Sequence, residues 1–202
     1  DAWSDRVISL LGGRDLGVIT SLMSLILGLV SQHPEEYKGA VQHCIRLLVK
    51  LVLNREYSSD YIYYGIPAPW LQVKLLRLLQ YYPPPENTDL MKHITDVLNK
   101  IITSAERIKS MDKGKSVSRT NASHAVLFEA LNVSIQYDND VDLLTTASNI
   151  LGKYLQDRDA NLKYLSLDTM SRLAFSDHKL VINAIRKNQE TILFALKEPD
   201  IS

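Results

Sequence analysis

The side chains able to do chemistry are few, and their spacing does not combine them. Cys44 is the single cysteine, so no internal disulfide can form, and a reducing compartment is the natural setting. It falls on an apolar helical stripe with Val41 and Leu48, which predicts a buried, inert thiol. His43 is its neighbour in sequence but lies on another helix face, a poor nucleophile–base or metal pair. The other histidines are His33, His93, His124 and His178. No two recur at i, i+4, and none has the carboxylate spacing of a zinc-protease helix. The glycines match neither a phosphate-binding loop nor a dinucleotide fingerprint. Asp138-Asn-Asp-Val-Asp142 opens like a calcium loop. Leu143 then stands where that loop needs Gly, and Asn149 where it needs Glu, so the segment is expected to cap a helix beginning at Val141. Asn121-Ala-Ser and Asn132-Val-Ser fit the glycosylation triplet by chance. We therefore expect no catalytic residue, no metal ligand and no cofactor.

Two segments have the chemistry of contact surfaces. Tyr57, Tyr61, Tyr63 and Tyr64 precede Pro67 and Trp70, an aromatic cluster that could stack on bases if exposed. Only Arg55 supplies a nearby cation, so nucleic acid is not expected, and the loop should fold back onto the body. Trp70 follows Pro69 at a favoured first helical turn. It is expected as a structural core residue whose truncation to Ala costs roughly 3–5 kcal/mol. The second segment carries Lys109, Lys113, Lys115 and Arg119 against Asp112, a local net of +3. Flexible ammonium groups can reach anionic lipid phosphates without a preformed pocket, at about 1 kcal/mol each.

The rest of the chain must position these. Of 202 residues, Lys plus Arg number 23 and Asp plus Glu 23, so no global field draws the protein to nucleic acid or membrane. Hydrophobic residues make up 46%, enough for a sizeable core and against disorder throughout. Residues Leu16 to Pro34 lack any charge, yet Thr20, Ser21, Ser24 and Ser31 at helical intervals suit a buried helix better than a membrane span. Apolar side chains recur at three- and four-residue steps nearly everywhere, as in Tyr37, Val41, Ile45, Leu48 and Val52. No stretch alternates with period two, so the fold class is all-α, without strands. Helix starts are expected near Leu16, Tyr37, Pro69, Asp89, Asn121, Val141, Asn161 and Lys179, after a partial helix around Arg6–Leu11. Asp15, Asp89, Asn121 and Asp159 or Asn161 are the expected N-caps. Every second start is separated by 53, 52 and then 40 residues. Two helices per period of about 40–47 residues is the HEAT/armadillo range, with the excess in loops near 54–68 and 107–120. The reading is one α-solenoid over residues 1–202, about four helical hairpins. Neither end has the polar outer face of a terminal repeat. Apolar faces are thus expected near Trp3–Leu11 and Ile182–Leu196, as in a segment of a longer solenoid.

One stretch is specific enough to carry a family resemblance: Tyr61–Pro85, and within it Pro67-Ala-Pro-Trp-Leu-Gln-Val-Lys-Leu-Leu-Arg-Leu-Leu-Gln-Tyr-Tyr-Pro-Pro-Pro85. It resembles the adaptins, large subunits of clathrin adaptor complexes, and within them the alpha class of the plasma-membrane complex. Trp3–Leu11, Asn121–Ala130 and Leu151–Leu165 agree, so the likeness covers essentially the whole chain. The resemblance implies a non-enzymatic trunk segment in clathrin-mediated endocytosis, cytoplasmic and peripheral at the plasma membrane and coated pits. It implies a small (sigma) subunit as partner, and other large and medium subunits in a heterotetramer. It also adds weight to a contact between Lys109, Lys113, Lys115 and Arg119 and a phosphoinositide membrane. Periodicity alone leaves a second reading, a HEAT scaffold of nuclear transport or of a phosphatase.

Overall fold

A computed structural model describes residues 2–111 and 117–197, apart from the side chains of residues 106 and 108–111. Ten α-helices account for most of the described residues: α1 (Ala2–Ser9), α2 (Leu16–Val30), α3 (Ala40–Leu48), α4 (Pro69–Leu79), α5 (Thr88–Met111), α6 (Val117–Tyr137), α7 (Val141–Tyr154), α8 (Ala160–Leu173), α9 (Lys179–Arg186) and α10 (Gln189–Lys197). Residues 1–136 and 137–202 form two compact units.

The helix ends follow from local chemistry. The Asp15 carboxylate accepts from the amides of Gly17 (2.8 Å) and Val18 (3.1 Å), satisfying two donors that the first turn leaves unpaired. Asp159 does the same for Asn161 and Leu162, and Asp140 accepts from Leu143. The acidic run at Asp138–Asp142 is thus a helix entry. At α5 the cap is Asn87, which accepts from Asp89 and Leu90; the short Asn side chain reaches the N2 and N3 amides, and Asp89 falls inside the first turn. The expected cap at Asn121 is also displaced. Helix α6 starts at Val117 and α5 continues through Met111, so the interhelical segment is much shorter than the expected 107–120. The first turn of the expected Tyr37 helix is instead a separate 3-10 turn over Pro34–Tyr37. The last helix is two, α9 and α10. Among the described residues the one departure from all-α is a ribbon, β1 (Ile62–Tyr63) against β2 (Ile66–Pro67), antiparallel with Ile62 opposite Pro67 and Tyr63 opposite Ile66. Two residues per strand are too few to show a period in the sequence.

Within each unit the main contacts join helices close in sequence, as in a solenoid. In the first unit α2 packs on α4, α3 on α4, and α3 on α5. Two polar side chains, one on α4 and one at its C-cap, tie it to α6: Arg77 Nε and Gln80 Nε2 donate to the Glu129 carboxylate at 2.8 and 2.7 Å. Tyr82 is buried; its hydroxyl donates to the Pro34 carbonyl at 2.7 Å, and burial pushes its pKa up to about 12. In the second unit α7 packs on α8 and α9, and α8 on α9. There Ser148 and Ser166, both buried, satisfy their hydroxyls on the carbonyls of Leu144 and Leu162 one turn back. Asp138, held at φ 46°, lies 3.3 Å from His178 Nε2.

Burial also decides the thiol. Cys44 is fully buried, and burial holds its pKa well above the ordinary thiol value, so thiolate is scarce and reactivity low. Among the described residues no helix is long and apolar enough to cross a membrane. Helix α2 has 15 residues, short of the ~20 a span needs. Trp3, Leu10, Leu193, Phe194 and Leu196 stand exposed, in the regions where apolar faces were expected.

Two helix glycines differ in what surrounds them. A Cβ on Gly152 would run into the Asn188 amide at the α9–α10 junction, whereas one on Gly28 meets nothing within 4 Å. Gly152→Ala should therefore cost about 1–3 kcal/mol through overpacking. Gly28→Ala should stabilise by up to about 1 kcal/mol through helix propensity. Urea denaturation of both variants reads the opposite signs, and equal effects would mean that α7 and Asn188 do not approach this closely.

Candidate functional site

The first unit carries its most unusual local structure between α3 and α4. The chain leaves α3 through a π-helical stretch, Val49–Asn54, and stops it at Arg55 in the left-handed region, φ 57° and ψ 40°. Wide turns of this kind recur at functional sites. The Arg55 amide donates to the Lys50 carbonyl, closing the end. Ser58 then caps a short turn, and the ribbon follows.

The ribbon turns on Tyr64 and Gly65, with φ of 49° and 83°. Two central residues at positive φ are what a two-residue hairpin of type I′ requires. Gly65 adopts this without penalty. For Tyr64 it is costly, since a Cβ in the left-handed region adds roughly 1–2 kcal/mol. The ribbon is anchored at its base. The Ala68 amide donates to the Tyr61 carbonyl at 2.7 Å, Gln72 Nε2 donates to the Pro67 carbonyl at 2.7 Å, and the Tyr61 hydroxyl reaches the Asp15 carboxylate at 3.3 Å. Asp15 thus holds both the start of α2 and the foot of the ribbon. The amide hydrogen bonds from Val18 and then Gly17, with a further contribution from Tyr61, hold its carboxyl below the usual carboxylate range.

The loop does fold back, but not all of its rings go with it. Tyr63 and Tyr64 meet edge to face at 4.7 Å between centroids, Tyr63 and Trp70 at 6.3 Å, and with Ile62 they form an exposed aromatic face. Trp70 is 50% exposed. This corrects the expectation of a buried ring. Position N2 of α4 turns outward, and Pro69 and Leu71 on either side take the inward places. Nothing in the sequence spacing separates these alternatives, because Pro69, Trp70 and Leu71 are consecutive apolar residues.

The other side of the ribbon walls a cleft of about 230 Å³ between the π-helical stretch, α5 and α6. Its floor is apolar, from Leu51, Ile101, Ala105 and Val126. Arg55 and Lys100 supply two cations, and Gln72, Ser104 and Ser123 supply neutral polar groups. The sequence does not mark this site, since its residues are drawn from five separate segments.

The expected basic surface is only partly placed. Lys109 lies in the last turn of α5 and Arg119 in the first turn of α6, half-buried. Lys113 and Lys115 lie outside the described residues, as do the side-chain contacts of Lys109. Among the described residues no group of His, Cys, Asp and Glu could hold a metal ion.

The stacked helices and the Pro67–Pro85 segment can now be set beside known proteins. The whole chain, residues 1–202, matches the family described as the adaptin N terminal region. The chain is an adaptin N-terminal segment. Over all 202 residues it is 40% identical to AP-2 complex subunit alpha-1 of Arabidopsis thaliana and 39% identical to AP-2 complex subunit alpha-2 of Dictyostelium discoideum. It is 30% identical, over 98% of its length, to AP-1 complex subunit gamma of Dictyostelium discoideum. These matches cover 19%, 20% and 20% of the relatives, so the chain spans about a fifth of their length. Membership of this family sets the adaptin segment apart from the nuclear-transport and phosphatase scaffolds that share its periodicity. The relatives are subunits of multi-protein complexes by name.

Two outcomes follow from this geometry. Trp70→Ala should cost about 1 kcal/mol in urea denaturation, the scale of a surface site; a loss of 3 kcal/mol or more would return the ring to the core. Asp15 has a lowered folded-state pKa, so its contribution is complete above the unfolded value near 3.8 and is lost as pH falls through the lower folded value. Asp15→Asn, which cannot ionise, should be less stable than wild type at neutral pH and should converge with it in acid. A gap that stays constant down to pH 2 would show that the carboxylate charge is not what the cap uses.

Proposed function

We propose that this adaptin segment is a non-enzymatic scaffold in the large alpha subunit of a clathrin adaptor, acting in clathrin-mediated endocytosis at the plasma membrane. The observation that carries the reading is the match of the whole chain to the adaptin N-terminal family, with similar identity to alpha subunits of AP-2 complexes from a plant and an amoeba. The fold supports it. Helices stacked mainly on neighbours close in sequence leave long side surfaces available for other chains. The partners in this reading are a small sigma subunit and the remaining large and medium subunits of a heterotetramer. Co-expression with a sigma subunit tests it. A stoichiometric complex surviving size exclusion is the expected result, and separate elution of the two chains would count against the assembly.

The same reading assigns Lys109, Lys113, Lys115 and Arg119 to an auxiliary contact with anionic phosphoinositide. Four such residues supply at most roughly 4 kcal/mol, too little for stable recruitment alone and useful beside other membrane sites. Because Arg119 is half-buried in helix α6, the three lysines should dominate. Changing them to Gln should remove salt-sensitive co-sedimentation with phosphoinositide liposomes, and Arg119→Gln alone should weaken it less. Equal binding by wild type and the triple variant would exclude the segment as the contact.

A further inference from the structure

The cleft beside the ribbon has a chemistry that the scaffold role does not use. Its apolar floor is built by Leu51, Ile101, Ala105 and Val126, all largely buried. Among the described residues no Asp or Glu lines it, whereas Arg55 and Lys100 both do. Among the described residues neither cation has an acidic partner. Glu56, the nearest carboxylate in sequence to Arg55, is bonded instead by Asn54 Nδ2 at 2.9 Å. Arg55 is fixed in the backbone by the end of the π-helical stretch, so its position at the cleft is a built feature.

Gln72 adds a directional group. It is 2% exposed, on the first turns of α4, and spends its Nε2 on the Pro67 carbonyl. Its Oε1 is left as an acceptor for a donor arriving in the cleft. Ser104 and Ser123 provide hydroxyls on α5 and α6.

Size narrows the ligand. A volume of about 230 Å³ is below the roughly 300–1,000 Å³ of sites that enclose a whole drug-sized molecule. It suits one bulky side chain with a little backbone. The floor asks for an apolar group, the rim for negative charge, and Gln72 for an N–H. A lipid headgroup meets only the second of these. An acidic stretch of polypeptide with one bulky apolar residue meets all three.

We propose that this cleft is a docking site for an acidic peptide segment of a partner protein, with one bulky apolar side chain on the floor and flanking carboxylates held by Arg55 and Lys100. Gln72 Oε1 accepts from the peptide backbone. The site shares no residue with the lysine contact to lipid, and it is assayed on the 202-residue chain alone, so its failure is read separately from failure of the sigma-subunit assembly.

The test is fluorescence anisotropy with labelled heptapeptides bearing a central Leu or Phe between Glu residues. Control peptides carry Ala at the centre or Lys in place of Glu, and vesicles of phosphatidylcholine with phosphatidylinositol bisphosphate serve as competitor. Binding of a Glu–Leu or Glu–Phe peptide is expected, weakened at least tenfold by either control change and weakened by raising salt. Arg55→Gln combined with Lys100→Gln should also lose at least tenfold. These two residues are exposed, so the fold, read by far-ultraviolet circular dichroism, should be unchanged. Ser104→Phe fills the cleft while keeping both cations in the chain and should abolish binding. Should it unfold the chain, Ser123→Leu gives the same reading from α6. The proposal is overturned if no acidic peptide binds, if Lys peptides bind equally, or if the double variant binds as wild type does. Co-sedimentation of the chain with the vesicles that is lost in the same double variant, together with no preference for the Glu–Leu or Glu–Phe peptides over their controls, would assign the cleft to lipid and overturn it as well.

Discussion

Helix α4 buries too much of its circumference for any one neighbour to cover it. Pro69, Leu71, Gln72, Val73, Leu75, Leu76, Leu78 and Leu79 are all buried in a helix of 11 residues. A helix apolar nearly all round is stable only inside a layer of others, and each fully buried aliphatic side chain contributes about 1.5–3 kcal/mol. Helices α2 and α3 cover α4 through apolar contact, and α6 is tied to it through Arg77, Gln80 and Glu129. Because no helix pair closes its own core, the array must stack. The fold class follows from that requirement.

The same helix sets the candidate site. At its start α4 places Trp70 outward beside Tyr63, and Gln72 inward at the cleft, two residues apart. The ribbon between these surfaces is short and carries a strained Tyr64. A two-stranded ribbon of this length has no independent stability. It persists because Gln72, Ala68 and Asp15 hold its base to helices that are already packed. Local strain supported by a rigid frame is the arrangement expected where a surface is kept for contact.

Much of the fold was legible in the sequence because it rests on period and punctuation. The stripe Tyr37, Val41, Ile45, Leu48 marks a buried face, and Asp15, Asp140 and Asp159 mark helix entries. What was not legible depends on single turns. The start of α6 at Val117 is preceded in sequence by Ser116, one of several polar residues there that could cap a helix, so Asn121 looked like the cap. Trp70 and Leu71 are both apolar, and only the rotation of α4 decides which faces inward. The cleft escaped notice for a different reason. Its floor residues read as ordinary core, and its cations, Arg55 and Lys100, lie 45 positions apart. The family likeness identified the array without bearing on either surface.

The central claim is that α4 is the most protected element of the first unit and that the ribbon's stability is borrowed from it. Native-state hydrogen exchange of the 202-residue chain, resolved by residue, measures this directly. The amides of Leu75 to Leu79 should exchange only through global unfolding. Those of Tyr63 to Ile66 should open locally at much lower free energy. Exchange of the Leu75–Leu79 amides at the ribbon's rate, or well before those of α2 and α3, would contradict the account.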